Sequence, residues 1–455
     1  MNQLQIFLPC AAGVEDYLAE EVHFITGIQG PGLQRWRGGV LLEASWRDVM
    51  LLNLHSRLAQ RVLVQLSHGE YRSEQDLYRA ASEVAWEIWF TPKQSIKVEI
   101  TAQHSPLTSL NFAALKIKDA VCDRFRAKAH GVRPDVDTQW PDVRIYAHLT
   151  TDTLSLYIDT SGEPLFKRGW REDKGEAPLK ETLAAAMIAA SGWAEGTDDL
   201  LPLYDPCCGS GTIAIEAAQI ACNIPAGMLR RFAFEKFLPF QPHVWNAIKA
   251  EAAASVVKPE PGSKPLIYGS DVSHRMVDFA QRNAQRAGVA DVIEFRGGDA
   301  LQRMPPIEVP GVMLVNPPYG ERIEAGGFAG AGASGRGGAG RGAPSQQTAR
   351  ELDWETEGDG RADEAPQRVM QSGAREQPQT EDGGEFFSLL ATHWKKHYAG
   401  WTAWVLTPDL KLPGKMRLKE SRRVPMWNGP IECRMFRFDM IKGSARDKPA
   451  ADKPA

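Results

Sequence analysis

The sequence predicts an α/β protein in which a Rossmann-like, doubly wound domain of alternating strands and helices follows a smaller α+β module. Three observations predict it. Leu200-Leu201-Pro202-Leu203-Tyr204 reads as a strand, Asp205-Pro206-Cys207-Cys208-Gly209-Ser210-Gly211-Thr212 as a glycine turn, and Ile213-Ala214-Ile215-Glu216-Ala217-Ala218 as the opening of a helix. Leu266-Ile267-Tyr268-Gly269-Ser270-Asp271 and Val292-Ile293-Glu294-Phe295, the latter leading to Gly298-Asp299, read as two more strands that each reach a carboxylate. Val312-Met313-Leu314-Val315 is a buried strand that runs straight into Asn316-Pro317-Pro318-Tyr319.

The elements ahead of these are short and mixed. Leu4–Leu8, Gly39–Glu43, Arg61–Leu66, Ser95–Ile100, Arg144–Leu149 and Leu154–Asp159 read as strands. Val14–Ile25, Glu74–Trp89 and Asn111–Ala129 read as helices between them. This region holds no catalytic cluster. A chain of 455 residues, 43% hydrophobic, suits two or three domains with ordinary cores. It has no apolar run long enough to span a bilayer, and Met1-Asn2-Gln3 lacks the basic start of a secretory signal, so a cytoplasmic location without membrane contact is expected. Cysteines 10, 122, 207, 208, 222 and 433 show no C-x-x-C spacing, which suggests neither a zinc site nor a disulfide framework. Cys207 and Cys208 read as small residues packing a ligand loop. His393 and His397 sit four apart on an expected helix, but no carboxylate accompanies them, so no metal is expected.

The chemistry starts at the glycine turn. A strand, a turn and a helix N-terminus gather backbone N–H groups and the positive end of a helix dipole, which favours an anionic or zwitterionic ligand. Glycine lets ligand and backbone approach closely. Gly209-x-Gly211-x-x-Ala214 alone would equally suit a dinucleotide or an ordinary tight turn. Asp271 suits ribose hydroxyls and Asp299 an adenine amine, and the order of the four motifs favours a nucleoside ligand. At Asn316 the side-chain oxygen and the Pro317 carbonyl can both accept hydrogen bonds from one exocyclic NH2 group, while Tyr319 can lie flat on the ring that carries it. Pro317 and Pro318 fix φ and give no donors, so the loop is stiff and presents acceptors.

With these residues the chain resembles the class I S-adenosylmethionine methyltransferases that act on exocyclic amines. Phe166-Lys167-Arg168-Gly169-Trp170-Arg171, Ala177–Ala186, Ser191-Gly192-Trp193 and Asn316–Arg322 are similar to the THUMP-containing rRNA guanine-N2 methyltransferases of bacteria, the RlmL type. The resemblance covers roughly residues 1–324 and 385–440. It implies a ferredoxin-like lead-in over 1–43, a THUMP domain over 44–159 and a seven-stranded class I methyltransferase domain over 163–440. Some relatives continue into a second methyltransferase domain, an activity not carried over to this chain, which ends shortly after Lys442.

Implied with it are S-adenosyl-L-methionine as cofactor, held by Asp205, Cys207, Gly209, Ser210, Gly211, Thr212, Asp271 and Asp299, and catalysis by Asn316, Pro317, Pro318 and Tyr319. The implied partner is 23S rRNA or a pre-50S particle. A tRNA guanine-N2 or adenine-N6 enzyme uses the same loop chemistry, a protein glutamine methyltransferase shares Asn-Pro-Pro-Tyr, and an rRNA-binding assembly factor is the reading from another class.

Basic residues are weighed as phosphate contacts: Lys116 and Lys118 with Arg124, Arg126 and Lys128 around one helix, Lys167, Arg168 and Arg171 before the core, and Lys411–Arg423 near its end. The net charge of −4 looks wrong for an RNA partner, but six arginines against ten acids between Ala325 and Gly384 supply all of it. That stretch, Gly-rich with Arg336-Gly337-Gly338 and then acidic, is expected to be a disordered insertion, and 442–455 a flexible tail.

Overall fold

The computed structural model describes residues 3–175, 178–194, 200–260, 264–317 and 383–441. Pro318, Tyr319, residues 320–382 of the loop and insertion, and the tail 442–455 lie outside the described residues.

The N-terminal half is built on one seven-stranded sheet. Its strands are β1 (Leu4–Pro9), β2 (Leu33–Trp36), β3 (Gly39–Ala44), β4 (Leu63–Glu70), β5 (Ile96–Ala102), β6 (Val143–Leu149) and β7 (Thr153–Asp159), in the order β2-β3-β1-β4-β7-β6-β5. β1 pairs with β4 and β4 with β7, so the sheet runs unbroken from the first strand of the chain to the last strand before the linker. Four helices cover it: α1 (Glu15–Thr26), α2 (Trp46–His55), α3 (Glu74–Glu83) and α4 (Leu110–Lys128). Local sequence explains their ends. Ser45 caps α2 by accepting the Asp48 N–H at 3.3 Å while Asp48 accepts the Ser45 N–H at 2.8 Å, a reciprocal box that Ser73 and Asp76 repeat on α3. The helix expected over Glu74–Trp89 stops at Glu83, followed by one 3-10 turn at Trp86–Ile88.

The second half carries α5 (Glu181–Ser191), β8 (Leu203–Asp205), α6 (Thr212–Ala221), α7 (Pro242–Ala254), β9 (Ile267–Asp271), α8 (His274–Arg286), β10 (Ile293–Gly297), β11 (Val312–Val315), α9 (Gly383–His397), β12 (Thr402–Thr407), α10 (Leu412–Met416), β13 (Arg422–Asn428) and β14 (Ile431–Asp439). Its sheet order is β10-β9-β8-β11-β12-β14-β13, with β14 antiparallel to both neighbours and the other pairings parallel. That is the seven-stranded class I methyltransferase sheet, and it stands behind the α+β module as the sequence leads one to expect. Period-two alternation divides its strands between two cores. Leu203, Ile267 and Leu314 join the large core shared with the N-terminal half, whereas Tyr204, Tyr268, Met313 and Val315 join a second core under Trp394 and Trp401.

The order reverses between β8 and β11, and such a switch point opens a crevice at the carboxyl ends of the strands. β8 pairs Leu203 with Val312 and Tyr204 with Met313, so Asp205 and Asn316 leave the sheet at the same edge.

Candidate active site

At that edge β8 delivers the glycine loop, β9 delivers Asp271, β10 leads to Asp299 and β11 delivers Asn316. Gly209 and Gly211 have φ of +52° and +89°, a region that favours glycine. Their surroundings differ. A Cβ on Gly211 would lie 3.0 Å from Ala280 Cβ and 3.1 Å from Phe295 Cζ, so this glycine lets α6 pack against α8. A Cβ on Gly209 would meet nothing within 4 Å, which leaves the open mouth of the loop beside a half-buried backbone.

The acids are woven into the loop. Asp205 is buried and accepts the Cys207 N–H at 3.1 Å. Burial pushes its carboxyl up to about 8; the Cys207 bond opposes that shift and the charge of Asp271 adds to it. Asp271 accepts the Gly209 N–H at 2.9 Å through Oδ2 and the Ser273 N–H at 2.9 Å through Oδ1, and burial holds its carboxyl above the usual range in spite of both bonds. Each oxygen keeps a lone pair for a ligand hydroxyl. Asp299 accepts the Leu301 N–H at 2.9 Å. A cavity of about 440 Å³ opens beside Asp299, lined also by Tyr204, Tyr268, Arg296 and Arg303; Asp299 alone of the expected cofactor residues lines it. Cys207 is half-buried, and burial pushes its thiol well up, so it is no thiolate nucleophile. Asn316 is half-buried and Pro317 buried at the crevice edge; Pro318 and Tyr319 fall outside the described residues.

The Ser210 and Thr212 hydroxyls share one partner. Arg171 donates to Ser210 Oγ and Thr212 Oγ1, each at 2.7 Å, and to Glu181 Oε1 at 2.7 Å, with its guanidinium 4.9 Å from the Trp170 ring centroid.

Three basic residues weighed as phosphate contacts sort differently. Arg168 is 1% exposed and donates to Glu216 and to the carbonyls of Leu165 and Arg57. Arg168 and Arg171 are thus corrected from RNA contacts to internal braces, because Arg168 is buried and the nitrogens of both guanidiniums bond to protein oxygens. Lys167 is exposed and pairs with Glu163 at 2.9 Å. On α4, Lys116 lies 5.2 Å over the Phe112 ring and Lys118 pairs with Asp119 at 2.7 Å; both are partly exposed. Near the chain end Lys415 pairs with Asp409, while Lys419, Arg422 and Arg423 are exposed at or beside the edge strand β13.

Glu181, Glu216, Arg57 and Asn283 were not singled out from sequence. The available signal is one carboxylate inside an apolar helix run: Glu216 sits in Ile213–Ala218 and is fully buried. Asn283 donates to the Ser210 carbonyl at 3.1 Å and is equally buried. Among the described residues no cluster of His, Cys, Asp and Glu could hold a metal ion, and no helix is long and apolar enough to cross a membrane.

A parallel sheet reversed at β8/β11, with a glycine loop, two acids and Asn316 at one edge, defines a class I methyltransferase domain behind an α+β module. The comparisons particularise it: residues 5–63 match the RlmL ferredoxin-like domain, 71–159 the THUMP domain and 168–329 the RMKL-like methyltransferase domain. The chain carries these three domains in that order. It is 34% identical over 99% of its length to ribosomal RNA large subunit methyltransferase K/L of Psychromonas ingrahamii, and 33% identical over 97% to that of Shewanella amazonensis. It spans about half of each of these relatives, 52% and 54%. Among solved structures it is similar to SMU.472, a methyltransferase candidate complexed with SAH, at a TM-score of 0.75 and 24% identity, covering 98% of this chain and all of that one. TrmN from Thermus thermophilus aligns at a TM-score of 0.59 and 18% identity, covering 96% of this chain and 100% of its own. These two likenesses bear on the fold.

Proposed function

We propose that this chain methylates the exocyclic N2 amine of one guanine in 23S rRNA, using S-adenosyl-L-methionine, in the cytoplasm and on rRNA or a pre-50S particle. One observation carries the reading: Asn316 leaves β11 at the switch point, beside the glycine loop from β8, in a chain that also contains a THUMP domain. The curated relatives are named for methylation of large-subunit rRNA, and one structural neighbour is complexed with SAH.

The residues fit the cofactor. The open side of Gly209 leaves room against the backbone, Asp271 keeps lone pairs for ribose hydroxyls, and Asp299 stands beside a cavity at the adenosine end. Asp205 orders the loop through the Cys207 N–H. Bound there, the cofactor supplies an electrophilic methyl group on a sulfonium. The Asn316 side chain and the Pro317 carbonyl accept bonds from N2, turn its lone pair toward the methyl, and disperse the positive charge that grows on nitrogen. Tyr319 stacks on the guanine after it is turned out of its own stack. No strong base is required, since a methylated amine carrying a positive charge loses its proton readily. Lys167, Lys116 and Lys118 contribute phosphate contacts.

Nucleoside mass spectrometry of rRNA and tRNA from cells with and without the gene, followed by primer extension, tests this. Loss of one N2-methylguanosine from 23S rRNA is expected. Loss confined to tRNA would favour the tRNA enzyme, and no loss with defective subunits would favour an assembly factor.

A further inference from the structure

The linker between the two halves holds two arginines three residues apart, and the helix after the glycine loop holds two polar residues four apart. On a helix, residues i and i+4 lie one above the other on the same face. Thr212 and Glu216 occupy those places on α6, and Arg171 and Arg168 meet them in turn: Arg171 Nη2 donates to Thr212 Oγ1 at 2.7 Å, and Arg168 Nε to Glu216 Oε1 at 3.1 Å. Arg171 reaches two residues further back, to Ser210 Oγ, inside the glycine loop.

Four of the five N–H donors of this fork are bonded within the protein. Nε goes to Glu181, Nη1 to Ser210, and Nη2 to Thr212 and, at 3.4 Å, to the Leu179 carbonyl. A guanidinium presents its donors in one rigid plane, so it fixes several acceptors relative to each other; a lysine ammonium cannot. Stacking on the buried Trp170 holds that plane. The Glu181 carboxylate is also buried: desolvation holds it above the usual range, and the Arg171 charge and hydrogen bond act against that shift. Two of the four residues from Gly209 to Thr212 are thus held by one side chain.

We propose that Arg171 is a positioning residue for cofactor binding, which sets the shape of the Gly209–Thr212 loop by clamping the Ser210 and Thr212 hydroxyls. The inference rests on the reading of that loop as the cofactor site. Its chemistry is preorganisation: the loop meets its ligand in the bound shape, so the cost of ordering it is not charged to binding. The predicted signature is a loss of cofactor affinity with little change in turnover once cofactor saturates, because Arg171 touches no reacting atom.

The test uses the full chain and isothermal titration with S-adenosylhomocysteine, together with cofactor KM and kcat. Arg171→Lys keeps the charge over Trp170 and loses the fork; it is expected to raise the dissociation constant roughly tenfold and leave kcat within about threefold. Thr212→Val removes one clamped acceptor at nearly constant volume. Its effect and that of Arg171→Lys are expected to combine to less than their product, as neighbours sharing one interaction do. These two variants, rather than Arg171→Met, carry the test because neither leaves Glu181 buried without a cation. Unchanged affinity in both, or fully multiplicative effects, would overturn the clamp. If the wild-type chain itself does not bind S-adenosylhomocysteine, the cofactor reading of the loop fails instead, and the two failures are told apart by that one titration.

Discussion

Arg57 and Glu216, 159 residues apart in the chain, form an ion pair at 3.0 Å that fastens the N-terminal module to the helix behind the glycine loop. Glu216 is fully buried, yet Arg168 and Arg57 outweigh its desolvation and hold its carboxyl below the usual range. Glu21 completes the arrangement from α1 by accepting the Ser56 hydroxyl and the Arg57 N–H at 2.6 and 2.7 Å. The two halves are therefore one electrostatic unit at this seam.

Glu216→Gln should be among the most destabilising conservative changes in the chain. It removes the one carboxylate to which both Arg57 and Arg168 donate, and breaking a buried pair in this way costs about 3–5 kcal/mol. Denaturant unfolding measures it; a loss below about 1 kcal/mol, the scale of a surface pair, would contradict the role given to this seam.

The two loop glycines should part company on substitution to alanine. At Gly211 the new Cβ meets Ala280 and Phe295 at a positive φ, so stability should fall clearly, by about 2 kcal/mol or more for combined strain and overpacking. At Gly209 it meets nothing, so about 1 kcal/mol of backbone strain is expected, while the methyl occupies the loop mouth and weakens cofactor binding at least about tenfold. Thermal midpoints and a cofactor titration on both variants decide it.

Asp205 gives a pH dependence with a definite sign. Its folded value of about 8 lies above the unfolded value of about 3.9. The folded state thus binds the proton more tightly; this contribution is complete below about pH 4 and is lost as pH rises through about 8. Relative to Asp205→Asn, the wild-type thermal midpoint should fall by a few degrees, about 3–5 °C, between about pH 5 and pH 9. A difference independent of pH would show that Asp205 is ionised throughout.

Lys167, Lys116 and Lys118 remain at least partly exposed, unlike Arg168. Each Lys→Ala change should leave stability within about 0.5 kcal/mol and lower the salt dependence of rRNA binding by about one phosphate. Filter binding over a salt series reads this directly; unchanged slopes would remove those residues from the interface.

The first four strands of the second half were legible because they are short apolar runs that end in turn residues, whereas β12, β13 and β14 were not read as strands. Leu203-Tyr204, Ile267–Asp271 and Val312–Val315 fall within the expected runs. In the first half, β2 was missed: its residues are half-buried at Leu33 and exposed from Gln34 to Trp36, so no alternation marks it. The edge position of Asn316 also follows from its strand. What sequence could not give was direction. Lys167-Arg168-x-x-Arg171 reads as one basic patch, yet Lys167 faces solvent while both arginines turn inward to carboxylates that lie 48 and 10 residues away. Only tertiary packing supplies those partners.

The central claim is tested most directly by incubating the purified chain with S-adenosyl-L-methionine and unmodified 23S rRNA, then digesting the RNA to nucleosides for mass spectrometry. The account predicts one N2-methylguanosine per 23S rRNA at a single position, and its loss with Asn316→Ala at unchanged cofactor affinity. Methylation that survives Asn316→Ala, or that appears on another atom or only on tRNA, would contradict it.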